Sequence, residues 1–276
     1  MTSRSLQERA ETLRDCGKFK EAYDAFLDAA EHTDNIVEKA DLVLNATTNL
    51  TQLHEFDAAR EQLDRVRQLL SVSVLPNKTG NPPDQQNVRR LAVCVEIEEA
   101  EILAAEKRLN SAVARLSRIV EEFGLNKGEP SLESLYDEVQ SRKAYFLVYL
   151  DQWNKALPIF EELVSRKNDD PKFLFYLGYC YDRTGDLNRA MLALQRTLIL
   201  RPPPHIDFQA HGTLGMVLYK MKRFAEAKQE LEACASEAPP AYIKDADLWR
   251  GLELTCRALG LTTEADKYAV LMSTLI

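Results

Sequence analysis

One small residue recurs along this chain in one setting, and that recurrence restricts the fold more than any other feature. Ala22 (in FKEAYDAFLDA), Ala59 (FDAAREQLDRV), Ala112 (LNSAVARLSRI), Ala156 (WNKALPIFEEL), Ala190 (LNRAMLALQRT), Ala227 (FAEAKQELEAC) and Ala265 (TTEADKYAVLM) share it. Four residues after each stands Phe26, Leu63, Leu116, Phe160, Leu194, Leu231 or Ala269. Three residues before most of them comes Phe19, Phe56, Leu109, Trp153, Leu187 or Phe224. Positions three and four apart share a helix face, so each copy predicts a helix with a small spot where a neighbour can approach closely. A unit of this kind cannot bury its apolar face alone. Seven in series imply a stacked array rather than one central core.

The clearest copy runs from Pro171 to Pro202. Leu174, Leu177, Gly178 and Tyr181 fall on one face of a first helix, and Ala190, Leu194 and Thr197 on one face of a second. Asp170 suits an N-cap and Pro171 a first helical residue, whose missing N–H would be unpaired there. Gly185 suits a left-handed helix end, Asp186 can cap the second helix, and Pro202 stops it. This spacing resembles the tetratricopeptide repeat (TPR), whose 34-residue pattern is W-x₂-L-G-x₂-Y…A-x₃-F…P. Gly178, Tyr181, Ala190 and Pro202 match it, while Leu174 replaces Trp and Leu194 replaces Phe.

The resemblance implies an all-α, right-handed superhelical solenoid of about seven helix-turn-helix repeats in a single domain, 1–276. Extending each anchor alanine gives approximate repeats of 3–36, 40–73, 93–126, 137–170, 171–204, 208–241 and 246–276. Repeat six keeps Leu214-Gly215, whereas repeats one to three rest on Ala10, Thr47 and Ala100 at the close-approach position. Repeat seven has Glu253 where a small residue is expected. Residues 74–92, with three prolines, predict a surface loop, and 124–136 a second break around Gly124, Gly128 and Pro130. Neither fits the spacing of a phosphate-binding loop. Pro202-Pro203-Pro204 reads as a rigid connector.

Composition removes several function classes. A net charge of −8 argues against general nucleic-acid binding, which needs a basic footprint. The polar start, Met1 to Glu11, is unlike a signal peptide. The longest apolar run, Ala144 to Leu150, is too short to span a bilayer. Cys16, Cys94, Cys180, Cys234 and Cys256 never form a C-x-x-C pair and read as reduced, mostly buried thiols of a cytoplasmic protein. His32, His54, His205 and His211 pair with no His or Cys at metal-ligand spacing, so neither a metal nor a cofactor is expected. Glu96, Glu98, Glu99 and Glu101 read as a solvated helix face. No enzymatic motif is present in the sequence.

In the TPR family the first helices line a groove for peptides or partner proteins. Carried over residue by residue, that resemblance implies a partner-binding set of Arg142, Tyr145 and Tyr149 in repeat four. It adds Lys172, Phe175, Tyr176, Tyr179 and Arg183 in repeat five, and Tyr219 and Lys220 in repeat six. Tyr and Arg carry much of the binding energy at interfaces, and interleaved positive charge suits a ligand with acidic and apolar side chains. The alternative is that these rings only pack into the next repeat. Some family members grip a chaperone's C-terminal carboxylate with Lys, Asn and Arg. Here Gln7, Glu11, Cys94 and Ile97 break that set, although Asn45 matches it.

The implied function is therefore a non-catalytic adaptor. A permanent structural subunit of a larger complex is the alternative, and a peptide-sensing regulator a weaker one. Val270, Leu271 and Leu275 cannot all face inward with Tyr268 and Met272. The C-terminal helix is thus expected to be covered by a partner, by a second copy, or by further residues.

Overall fold

The structure is a computed structural model that describes residues 2–73, 85–125, 133–167, 169–239 and 246–273. The described residues form fourteen α-helices and no strand. Contacts group the chain into two compact units, Met1–Leu150 and Asp151–Ile276. The first holds α1 (Ser3–Asp15), α2 (Phe19–Glu31), α3 (Ile36–Gln52), α4 (Phe56–Ser73), α5 (Gln85–Ala105), α6 (Leu109–Glu122) and α7 (Glu133–Tyr149). The second holds α8 (Trp153–Arg166), α9 (Pro171–Thr184), α10 (Leu187–Ile199), α11 (Pro204–Lys220), α12 (Phe224–Glu237), α13 (Ala246–Ala258) and α14 (Thr262–Ser273).

All seven anchor alanines are completely buried, and so are Phe26, Leu63, Leu116, Phe160 and Leu194 four residues on. In the second unit the reason is visible at α9 and α10. A Cβ placed on Gly178 would lie 2.7 Å from Leu194 Cγ and 3.3 Å from the Ala190 carbonyl oxygen. Gly215 stands in the same relation to Leu231 and Ala227, at 2.6 and 3.2 Å. In the first unit Ala10, Thr47 and Ala100 occupy the corresponding place, fully buried. Thr47 satisfies its hydroxyl by donating to the Val43 carbonyl at 2.8 Å.

The turns obey a second rule. Five residues before every anchor alanine the backbone is left-handed, at Gly17, His54, Lys107, Asp151, Gly185, Lys222 and Gly260. The next N–H then reaches back five residues: Asp186 donates to the Tyr181 carbonyl, as Glu55 does to Leu50, Arg108 to Leu103 and Arg223 to Leu218. This closure satisfies carbonyls that the helix end would otherwise leave bare. Asp170 caps α9 by accepting from Lys172 and Phe173 N–H, and Asp186 caps α10 by accepting from Arg189 N–H.

Four first helices start one to two turns upstream of the sequence expectation, at Ile36, Gln85, Glu133 and Pro204. Residues 85–92 and 133–136 are therefore helix, not loop; 74–84 and 126–132 lie outside the described residues. Pro204 is a first helical residue rather than part of a connector, because its fixed φ suits that position. The early turn of α5 is held by Arg90, which donates to Asp41 at 3.0 Å, and by Arg89, which donates to the Phe123 carbonyl.

The solvated face expected for Glu96, Glu98, Glu99 and Glu101 does not form. Helix α5 feeds two apolar clusters, one through Leu91, Val95 and Ile102 and the other through Val93, Ile97 and Ala100. Its carboxylates are consequently drawn in and paired. Arg60 donates to Glu99 at 3.1 Å and to Glu106 at 2.8 and 2.9 Å. Arg67 and Arg115 share Glu96, and Thr51 donates to Glu98 at 2.6 Å. Burial raises the Glu98 pKa above its ordinary value against the lowering effect of that hydrogen bond.

Candidate partner-binding face

Seven of the ten residues expected to meet a partner belong to α9 and α11 of the second unit, where the first helices α9, α11 and α13 run in sequence beside one another. On α9, Lys172, Tyr176, Tyr179 and Arg183 fall four, three and four residues apart, which makes one stripe. Lys172 and Arg183 are exposed, and Tyr176 and Tyr179 half-buried. On α11 the equivalent stripe is Gln209, Thr213, Met216 and Lys220, and on α13 it is Asp247, Gly251, Leu254 and Ala258, with Arg250 and Arg257 exposed beside it.

The rings on α9 are held rather than loose. Tyr176 stacks on the buried Phe160 of α8 with ring centres 5.5 Å apart. Tyr179 meets Trp153 of α8 edge-on at 5.5 Å. Phe175 is buried and packs beneath both tyrosines, at 5.1 Å from Tyr176 and 6.2 Å from Tyr179. Arg183 lies over two rings at once, 5.3 Å from Trp153 and 5.2 Å from Tyr179, and donates to the Tyr179 hydroxyl at 3.1 Å. A guanidinium placed on aromatic faces is pre-oriented while its edge remains open to a carboxylate. The Tyr179 hydroxyl raises the Arg183 pKa further, so the charge is permanent.

Tyr219 and Lys220 end α11. Tyr219 is half-buried against Phe224, with ring centres 5.6 Å apart. Lys220 donates to both oxygens of the buried Asp182 at 2.7 and 2.8 Å, tying α11 to α9. Two features of this face were not singled out in the sequence: Trp153 as the partner of Arg183, and Asp182 as the anchor of Lys220. Trp153 had been recognisable only as the apolar residue three before Ala156.

Arg142, Tyr145 and Tyr149 lie on α7 of the first unit. Arg142 donates to Glu101 of α5 and, at 3.0 Å, to Glu138. Burial opposes its charge, yet these carboxylates raise its pKa above the ordinary value. Tyr145 is half-buried, and Tyr149 is 68% exposed.

A second group of polar side chains gathers where α11 begins and α12 ends. His211 Nδ1 meets Glu230 Oε2 at 2.6 Å. The Glu230 carboxylate raises the His211 pKa above its ordinary value, with burial opposing. Asp207 and Glu237 lie beside the same ring. No His or Cys stands at metal-ligand spacing from His211 in the sequence; the group is made instead by Asp207 and His211, four apart on α11, and by Glu230 and Glu237, seven apart on α12.

Paired antiparallel helices with this spacing, these small close-approach residues and this turn define the tetratricopeptide-repeat fold, and the described residues adopt it. Residues 150–234 match the family model of the anaphase-promoting complex (cyclosome) subunit 3. No curated protein matches the chain by sequence. Among solved structures, a tetratricopeptide repeat protein from Parabacteroides merdae ATCC 43184 superposes with a TM-score of 0.57 at 12% identity, covering 99% of this chain and 93% of that one. YrrB, a TPR protein, gives 0.52 at 17% identity over 79% of this chain and 94% of its own. MamA from Desulfovibrio magneticus RS-1 gives 0.52 at 17% identity, covering 72% and 94%. At these identities the likeness concerns the fold. No helix among the described residues is long and apolar enough to cross a membrane.

Proposed function

We propose that the protein is a non-catalytic interaction scaffold whose α9, α11 and α13 stripes receive an extended or helical peptide segment with acidic and apolar side chains. The observation that carries this reading is Arg183 stacked over both Trp153 and Tyr179, beside the half-buried Tyr176. Rings fixed by their neighbours offer contact area without losing much rotamer freedom on binding, and the exposed Lys172, Arg183 and Arg250 steer an acidic ligand. YrrB, which shares the fold, is described as having an unusual peptide-binding site, and that supports a peptide as the ligand class. Five free cysteines fit a reducing compartment, so a cytoplasmic location belongs to the same proposal.

The test is capture of partners by the parent and by a Tyr179→Ala, Arg183→Ala variant, after thermal melts show that both fold. Partners held through this face are retained by the parent, lost by the variant, and released by raised salt. An identical captured set would contradict the reading.

Exposed apolar side chains favour a second reading, a subunit covered permanently by its partner. Leu192 and Ile199, 61% and 77% exposed, lie seven residues apart on α10, and Val270 is exposed on α14. Sedimentation equilibrium separates the cases. A clean monomer at high concentration removes self-association through α14, and aggregation of the isolated chain supports the permanent subunit.

A further inference from the structure

Asp207 sits in the first turn of α11 and His211 one turn further along the same face. Glu230 and Glu237, two turns apart on α12, face them because α12 returns antiparallel and ends where α11 begins. One ring nitrogen of His211, one oxygen of Asp207 and one of Glu237 all lie within 4.8 Å of one another. Glu230 Oε2 holds His211 Nδ1 at 2.6 Å, which sets the tautomer and leaves the Nε2 lone pair as the donor to an ion.

We propose that Asp207, His211 and Glu237 form a binding site for a divalent transition-metal ion such as Zn²⁺, with Glu230 as the residue that positions the imidazole. The donor set of one nitrogen and two carboxylate oxygens suits zinc and its neighbours. Mg²⁺ and Ca²⁺, in contrast, take oxygen ligands alone. Ligand atoms around a tetrahedral zinc stand about 3.4 Å apart, so side-chain rotation closes the remaining distance. Two carboxylates held beside one another repel unless a proton or a cation lies between them, and the ion removes that repulsion. A carboxylate on the second ring nitrogen is the usual outer partner of a metal-bound histidine. Glu237 is exposed, which gives the ion a path from solvent. Bound there, the ion clips the start of α11 to the end of α12, next to the small apolar cluster of Phe208, Cys234 and Ala238.

The experiment is calorimetric titration of the full chain, freed of metal by a chelator, with ZnCl₂ and separately with MgCl₂. The site predicts one equivalent of Zn²⁺ bound far more tightly than Mg²⁺, with a rise in Tm. His211→Ala, and Asp207→Asn with Glu237→Gln, lose that equivalent and the Tm rise. Glu230→Gln keeps the stoichiometry and weakens affinity about 10–100-fold, as loss of an outer partner does. Proton spectra of the unaltered chain provide a check that needs no variant: the His211 ring resonances shift first as zinc is added. Zinc bound no more tightly than magnesium overturns the proposal. So does an equivalent retained by His211→Ala, or a thiolate charge-transfer band on Co²⁺ substitution, which would put the ion on a cysteine.

Discussion

Thr47 in α3 and Gly178 in α9 hold the same place in their hairpins, twelve residues before an anchor alanine, yet the two units use the place differently. Around Gly178 there is no room for even a Cβ, because Leu194 would lie 2.7 Å away. Around Thr47 there is room for a branched side chain whose hydroxyl bonds its own helix. The contrast extends to what fills the first helices. In Met1–Leu150, arginines and carboxylates neutralise one another between helices, as Arg60 does with Glu99 and Glu106. In Asp151–Ile276 Lys220 ties α11 to the buried Asp182 in the same way, but between α8 and α9 rings fill that role and a cation lies over them at the surface. Charges engaged inside a fold hold helices in register, whereas charges displayed over rings remain available to a partner.

The largest expected effect breaks the close contact itself. Gly178→Leu or Gly215→Leu forces Leu194 or Leu231 aside and should cost about 3 kcal/mol, the upper range for overpacking. Thr47→Ala should cost only about 1 kcal/mol, since the site already admits a Cβ. Urea melts of the three variants check the ordering, and equal losses would remove the distinction between the units.

Arg60→Ala comes next. It strands Glu99 and Glu106 and should cost about 1–2 kcal/mol, between the values for exposed and buried pairs; the Arg60 side chain is 30% exposed. Its counterpart in the second unit, Arg189→Ala, removes a side chain that is 61% exposed and should be close to neutral in the same melts.

Smaller effects come from the shared turn. Lys222 carries φ of 63°, and replacing it with Gly should stabilise by about 0.5–1 kcal/mol, because the left-handed region penalises a Cβ. Gly185→Ala should destabilise by about the same amount. The smallest effect is a pH dependence at Glu98. Its folded pKa is raised, so its contribution to stability is present below the unfolded value and lost as pH rises through the folded one. Glu98→Gln keeps the Thr51 hydrogen bond and should be more stable than the parent at neutral pH but not at pH 4. A stability difference independent of pH would contradict that assignment.

Much of the fold could be read from the sequence because its constraints are steric and local. The anchor alanines, Gly178, Gly215, and the caps at Asp170 and Asp186 all sit at fixed spacings. The left-handed turn residue was legible at Gly185 but not as a rule of every hairpin, because His54, Lys107, Asp151 and Lys222 have no common side chain; the backbone alone repeats. The first turns of α5 escaped for another reason. Gln85 to Arg90 are polar apart from Val88 and follow prolines, and what holds them helical is Asp41 and the Phe123 carbonyl, both distant in sequence. The carboxylates of α5 misled for the same reason, since an isolated helix shows none of the arginines that other helices supply. Of the binding face, the α9 stripe came from family spacing, while the Trp153–Arg183 stack needed the α8–α9 packing to appear.

A partner bound along the aromatic stripe of the second unit would depend on Tyr179 far more than on Arg142. Once a partner has been captured, its affinity for the parent, for Tyr179→Ala and for Arg142→Ala should be measured by calorimetry. Loss of a central tyrosine should cost about 2 kcal/mol, roughly 30-fold in Kd. Arg142, already engaged by Glu101 and Glu138 within the first unit, should change little when replaced. An unchanged Kd for folded Tyr179→Ala, with a large loss for Arg142→Ala, would contradict the claim and move the partner to the first unit.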